Sequence, residues 1–228
     1  MIRRVSCAAA VGFAFATMLA AQTPAVPGLQ SEVSFKFERA VPGVAVPRYL
    51  IRINEDGTGS YHAEAIVAHA DAQVIDRPLV FTPGTAKTVF EGIQGIRSAS
   101  MVCASKLKNI ADTGTKTLAY RDAGTEGSCT YNYSENKAVV QLTSIFQGIE
   151  QTLEAGRALD FKHRFDRLGL DAEISSLVSA VEQGSALELG NIAPTLQSIA
   201  GDTELMQRVR LRAAKLLEQA QVQAQAQR

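Results

Sequence analysis

Histidine and cysteine are scarce in this chain, three of each in 228 residues, and neither gathers into a pattern with chemistry attached. No Cys-x-x-Cys pair and no histidine cluster is present, which removes the usual donor sets of a zinc site. A Gly-x-Ser-x-Gly elbow, a His-Glu-x-x-His helix, a dinucleotide-binding glycine fingerprint and a phosphate-binding loop are also missing. Gly84-Thr85-Ala86-Lys87-Thr88 contains a Lys-Thr pair, but no glycine stands directly before the lysine, so Lys87 reads as a solvated helix residue. No cofactor is therefore expected. An excess of charge is lacking too, with 23 basic against 23 acidic residues. Such a balance supplies no general field to draw in nucleic acid or anionic lipid. Beyond the N-terminus there is no apolar run long enough to span a bilayer.

The N-terminus itself reads as an export signal. Arg3 and Arg4 precede an uncharged apolar run from Val5 to Ala20, which Leu19-Ala20-Ala21 closes before the turn-rich Thr23-Pro24-Ala25-Val26-Pro27-Gly28. A basic start, a short apolar core and a small residue before the cut describe a secretory signal peptide, and residues 1–21 are expected to be removed. An uncleaved anchor would need about 20 apolar residues, and this run is shorter and rich in alanine. Cys7 follows Val5-Ser6 too closely to the start to serve as a lipoprotein acylation site. The mature chain is then expected to be periplasmic or secreted and not inserted in the membrane. Losing Arg3 and Arg4 leaves 21 basic against 23 acidic residues, a net charge of −2.

Cys103 and Cys129 are the pair left in an oxidising compartment, and a disulfide between them is the expectation. On the chain-entropy argument it would stabilise the fold by about 3–4 kcal/mol. Two separate buried thiols are the alternative.

Periodicity divides the remainder. Val33, Phe35 and Phe37 alternate with polar residues in a strand over 32–40. Strands follow over 48–54 and 60–66 around the turn Glu55-Asp56-Gly57-Thr58-Gly59. A fourth, over 74–81, carries Pro78, which assigns it to an edge. Thr82 and Pro83 cap and open a helix whose apolar stripe is Val89, Phe90, Ile93 and Ile96. A second hairpin pairs 115–122 with 128–133 across the loop 123–127. From Ser134 the period is helical. Val139, Leu142, Phe146, Ile149, Leu153 and Leu159 mark one long helix, and others are expected from an Asp171 N-cap to Gly184 and over 186–200 with Pro194 as a break. A last helix, capped by Gly201-Asp202, carries Leu205, Val209, Ala213, Leu216 and Ala220, and its Gln/Ala tail is expected to fray. The fold class is α+β. An antiparallel sheet of hairpins with packed helices fills 22–160, and a helical C-terminal region fills 161–228, joined in one body by the long helix.

Few residues invite a chemical role. Asn54, Asp56 and Thr58 faintly imitate a calcium loop, but the twelfth position is Ala65 rather than a glutamate, so turn chemistry is the stronger reading. His62, His69 and Glu64 could share a surface metal. His163 lies in the polar run Asp160-Phe161-Lys162-His163-Arg164-Phe165-Asp166-Arg167, where a salt-bridged elbow competes with an acid–base pair or an anion site. Asn132-Tyr133-Ser134 is a glycosylation sequon if the host glycosylates.

Ile192 to Ala200, Gly201-Asp202, and then Val209-Arg210-Leu211-Arg212-Ala213-Ala214-Lys215-Leu216-Leu217 resemble one HEAT-type helical pair. A solenoid needs three or more repeats to bury a continuous core, so the resemblance implies a mode of helix packing and a docking surface. The residues Ile110 to Tyr120, Tyr131 to Ser134 and Arg164 to Asp171, within this layout, resemble a family of exported bacterial proteins without an assigned function. That resemblance brings no catalytic residues. The expected function is a non-catalytic protein-interaction module in the envelope or outside the cell. Its partner, another envelope or secreted protein, would meet the helical face or an open sheet edge. Inhibition of an extracellular protease and an unrecognised hydrolase centred on His163 are the alternatives.

Overall fold

Residues alternating between apolar and polar build the sheet. The computed structural model describes residues 31–39, 41, 44–66, 73–97, 101–122 and 124–225. The expected signal peptide, His69 and the last three residues lie outside them. Strands β1 (Glu32–Glu38), β2 (Arg48–Asn54), β3 (Thr58–Ala65), β4 (Gln73–Val80), β5 (Thr115–Asp122) and β6 (Thr125–Tyr131) pair antiparallel in the order β4-β3-β2-β1-β5-β6. Phe35 stands opposite Ile51 and Leu118, Ile51 opposite Tyr61, and Leu118 opposite Cys129. One row of buried side chains thus runs across the sheet, and a one-residue slip would turn the whole set to solvent.

Pro78 does lie on an edge strand, β4. The second hairpin is tighter than expected. Its return strand begins at Thr125, leaving only positions 123 and 124 between strands, with Gly124 at φ +92° as short hairpin turns favour.

Five helices lie among the described residues: α1 (Pro83–Ile96), α2 (Lys137–Phe165), α3 (Leu170–Glu182), α4 (Ala193–Gly201) and α5 (Gln207–Gln225). The first two pack on the inner face of the sheet. Thr82 caps α1 by accepting from Thr85 N, with Pro83 in its first turn. Asn136 caps α2 by accepting from Ala138 N at 3.0 Å. The predicted α2 stripe is buried in full, and Phe146 stacks on Phe35 with ring centres 5.1 Å apart.

Three helix ends differ from expectation. Asp171 is not the cap of α3; Gly169 is, and Asp171 instead accepts from Arg212 Nη1 at 2.6 Å and Arg208 Nε at 3.1 Å. Pro194 does not break a long helix. It opens α4, after a 3₁₀ turn over Leu189–Ile192, because proline suits a first turn whose N–H is orphaned anyway. Asp202 closes α4 and does not cap α5, which begins five residues later.

Two polar side chains fasten the helical region to the sheet. Glu188 is buried, at φ +59°, and its carboxylate accepts from Thr82 N at 3.0 Å and from Thr82 Oγ1 at 2.7 Å. Asn191 donates from Nδ2 to Val80 O at 3.0 Å and accepts from Val80 N at 2.9 Å, as a neighbouring strand would. Close approach of α2 to this segment needs glycine. A Cβ on Gly156 would fall 2.4 Å from Ile192 Cγ2. No helix among the described residues is long and apolar enough to cross a membrane.

Candidate functional site

The residues singled out in the sequence mostly serve the fold. Cys103 and Cys129 stand at disulfide distance, their Cα atoms 5.8 Å apart, and tie the segment before β5 to β6. In the Asp56 turn, Asp56 Oδ1 accepts from Thr58 N at 2.8 Å and from Thr58 Oγ1 at 2.6 Å, while Asn54 Nδ2 donates to Thr58 Oγ1 at 3.0 Å. The three groups are spent on one another, and Gly57 takes φ +79°: this is turn chemistry. These bonds draw the Asp56 carboxyl below its ordinary range.

His62 and Glu64 line one surface groove on β3, but each is engaged by a different neighbour. His62 Nδ1 lies 2.7 Å from Asp76 Oδ1 on the neighbouring strand, and Glu64 accepts from Arg48 at 3.1 Å. Asn132 is committed as well. Its Nδ2 donates to Ala111 O at 2.8 Å, and its Oδ1 accepts from Thr113 N at 2.8 Å and Thr113 Oγ1 at 2.9 Å. A glycan on that nitrogen would break the clamp.

The polar run around His163 forms a salt-bridged elbow. His163 Nε2 lies 2.8 Å from Asp202 Oδ2, joining α2 to the end of α4. Arg167 reaches Glu204 at 2.7 Å, Lys162 reaches Glu173 at 2.6 Å and Arg164 reaches Asp160 at 3.0 Å. His163 lines none of the grooves described below.

The two aromatics inside that run behave differently. Phe161 is 58 % exposed, Phe165 73 % and Leu168 90 %, and the two rings lie 5.2 Å apart. Two aromatic rings in contact thus stand in solvent at the C-terminal end of α2, and Leu168 is exposed in the turn that follows. Isolated exposed apolar residues are ordinary on a protein surface; a cluster is informative.

A second feature was hidden inside the predicted stripe of α2. The inner face of the sheet places Tyr49 and Tyr61 beneath Glu150 and Glu154 of α2, and the chain between β1 and β2 adds Val44, Ala45 and Val46 as a wall. A groove of about 440 Å³ results, lined by Phe37, Val44, Ala45, Val46, Tyr49, Gln147, Glu150, Gln151 and Glu154. It continues over Glu150, Gln151 and Glu154 into a second groove of about 380 Å³ between α2 and α3, where Arg157 and Glu173 join the lining.

The two carboxylates are treated unequally. Glu154 accepts from Arg157 Nε at 2.9 Å and Nη2 at 2.6 Å, and from Tyr61 Oη at 3.4 Å. Glu150 has no hydrogen-bond partner among the described residues. Burial, and secondly the neighbouring Glu154, push its carboxyl up to about 7, with Arg157 pulling the other way. Burial, with Glu150 beside Tyr49 and Glu154 beside Tyr61, also drives both hydroxyls well above their ordinary value, so both keep their protons. One signal for this groove is legible along the chain: Glu150 and Glu154, four residues apart, flank the apolar stripe at Ile149 and Leu153.

No protein-family model matches the chain, and no curated protein matches it.

Proposed function

We propose that the protein is an exported, non-catalytic interaction module that works in the cell envelope or outside the cell. Its partner is a protein with an apolar docking surface that seats on the C-terminal end of α2. The Phe161–Phe165–Leu168 cluster carries this reading. Burying aromatic side chains of this size removes far more apolar area per residue than other side chains do. Aromatic residues beside arginine are the composition that protein interfaces favour over the rest of the surface. The elbow of ion pairs beneath them holds the end of α2 against α3 and α4, so the cluster is presented on a rigid support. Docking to such a support carries a smaller ordering cost than docking to a loop.

The test compares the wild-type chain with a Phe161→Ser, Phe165→Ser, Leu168→Ser triple variant, both crosslinked in the envelope of the native host. The reading expects one protein to be captured by the wild type and lost from the variant, with unchanged melting of the purified chains. Capture of the same protein by both, or by neither, overturns it. Intact Met1 on protein recovered from the host would overturn the assigned compartment.

A further inference from the structure

The groove over Glu150 has an unequal set of hydrogen-bonding groups. Tyr49 is 5 % exposed and its hydroxyl has no hydrogen-bond partner among the described residues, although it lines the groove alongside Glu150. Buried tyrosine hydroxyls usually find a protein partner; this one opens on the solvent of the groove instead, since among the described residues the one fully buried side-chain polar atom without a partner is Arg39 Nε. Glu150 has no partner among the described residues, while the guanidinium on its own helix, Arg157, is spent on Glu154, and the Lys116 ammonium, 5.8 Å from the centre of the Phe37 ring, is spent on Thr113 Oγ1 and Asn132 O. The groups facing Glu150 are Glu154 and Arg157 on its own helix, Tyr49 from β2, Tyr61 from β3 and Glu173 across the second groove from α3. The side-chain oxygens of Gln147 and Gln151 add further acceptors at the rim. Free acceptors outnumber free cations.

The walls are apolar. Phe37 stacks on Tyr49 with ring centres 5.1 Å apart, and Val44, Ala45 and Val46 close the opposite side. We propose that this groove binds an alkylammonium group, a primary ammonium on an alkyl stem such as a lysine side chain or a simple amine presents. The head would sit between the Glu150 carboxylate and the Tyr49 hydroxyl, and the stem would lie along Phe37 and Val46. The ammonium supplies donors and no acceptor, which is what the two unpartnered oxygens lack, and aromatic faces attract cations. An anion would meet Glu150 and Glu154 with Arg157 already engaged. A metal ion would find too few ligands, since no group of three His, Cys, Asp or Glu among the described residues is placed to hold one.

Binding must compete with protonation of Glu150. With that carboxyl near 7, affinity should be about tenfold weaker at about pH 6 than at about pH 8, as linkage requires. The experiment titrates the full, disulfide-bonded chain with n-butylammonium chloride and follows backbone amide NMR shifts, with n-butanol and butyrate as controls. The expected result is saturable shifts around Tyr49, Gln147 and Glu150 with butylammonium alone, weaker at the lower pH. Glu150→Gln should lose at least tenfold in affinity, and Tyr49→Phe, an isosteric change, a few-fold with the spectrum otherwise preserved. Equal binding of n-butanol, undiminished binding to Glu150→Gln, or no saturable shift at the higher pH overturns the proposal.

Discussion

Replacing Glu150 by glutamine tests the electrostatics of the groove without any ligand. In the unfolded chain this carboxyl ionises near 4.5, and in the folded protein near 7. Between those values the native state holds a proton that the unfolded state has released. Stability therefore falls as pH rises through this window, the reverse of a salt-bridged carboxylate. At about 1.4 kcal/mol per pH unit the interval is worth roughly 3 kcal/mol, and the penalty is complete above about pH 8. Glutamine keeps the shape and hydrogen-bonding capacity of the neutral acid but cannot ionise. Urea unfolding of both proteins at about pH 4 and about pH 8 is the assay. The difference between them cancels every other titrating group to first order. The variant should gain on the wild type by roughly 3 kcal/mol over that range. A gap that stays constant, or widens towards acid, refutes the reasoning, because it would mean that Glu150 is solvated or paired in the native state.

Four further outcomes are expected. Replacing both Cys103 and Cys129 by serine should cost about 3–4 kcal/mol in urea unfolding, as closing a loop of this length requires, and dithiothreitol should reproduce the loss in the wild type. Glu188→Ala strips Thr82 of two hydrogen bonds and should cost about 2–4 kcal/mol. Glu188→Gly should cost less, since φ +59° is a conformation glycine adopts freely at a saving of about 1 kcal/mol, and a worse glycine variant would refute this. Gly156→Ala places a methyl against Ile192, so overpacking of about 1–3 kcal/mol should outweigh a helix-propensity gain of about 1 kcal/mol. A higher melting temperature would count against that contact. The Phe161, Phe165 and Leu168 serine variants should each change stability by no more than about 0.5 kcal/mol, since the wild-type side chains already lie in water.

What could be read along the chain was local. Val33, Phe35 and Phe37 announce a half-buried strand by their spacing alone, and Thr82-Pro83 specifies a helix start within four residues. Pro78 identifies its strand as an edge because its missing N–H would break a ladder anywhere else. The features that escaped are those made by distant partners. Glu188 meets Thr82 across 106 positions, and nothing in Ala186 to Leu189 signals that its carboxylate will serve another helix. Glu150 and Glu154 flank the apolar stripe of α2, and only the folded sheet with the 44–46 segment turns the face they share into a groove. Asp171 has the composition of a cap, yet two arginines some forty residues away out-compete the backbone for its oxygens. Phe161 and Phe165 stand among charged neighbours in the chain, and only the fold shows that these two apolar rings are left in solvent.

The grip of Asn191 on Val80 bears on how this chain survives at high concentration. A sheet rim with free amides and carbonyls is a template on which another molecule can lengthen the sheet, and natural proteins guard such rims. Here the outermost strand offers a proline that cannot donate, and two residues later a primary amide has already occupied both main-chain groups. That stretch of rim is closed to growth by a side chain belonging to the helical region. Removing that amide, by Asn191→Leu, would free the Val80 N–H and carbonyl and reopen this stretch of rim to pairing with another chain.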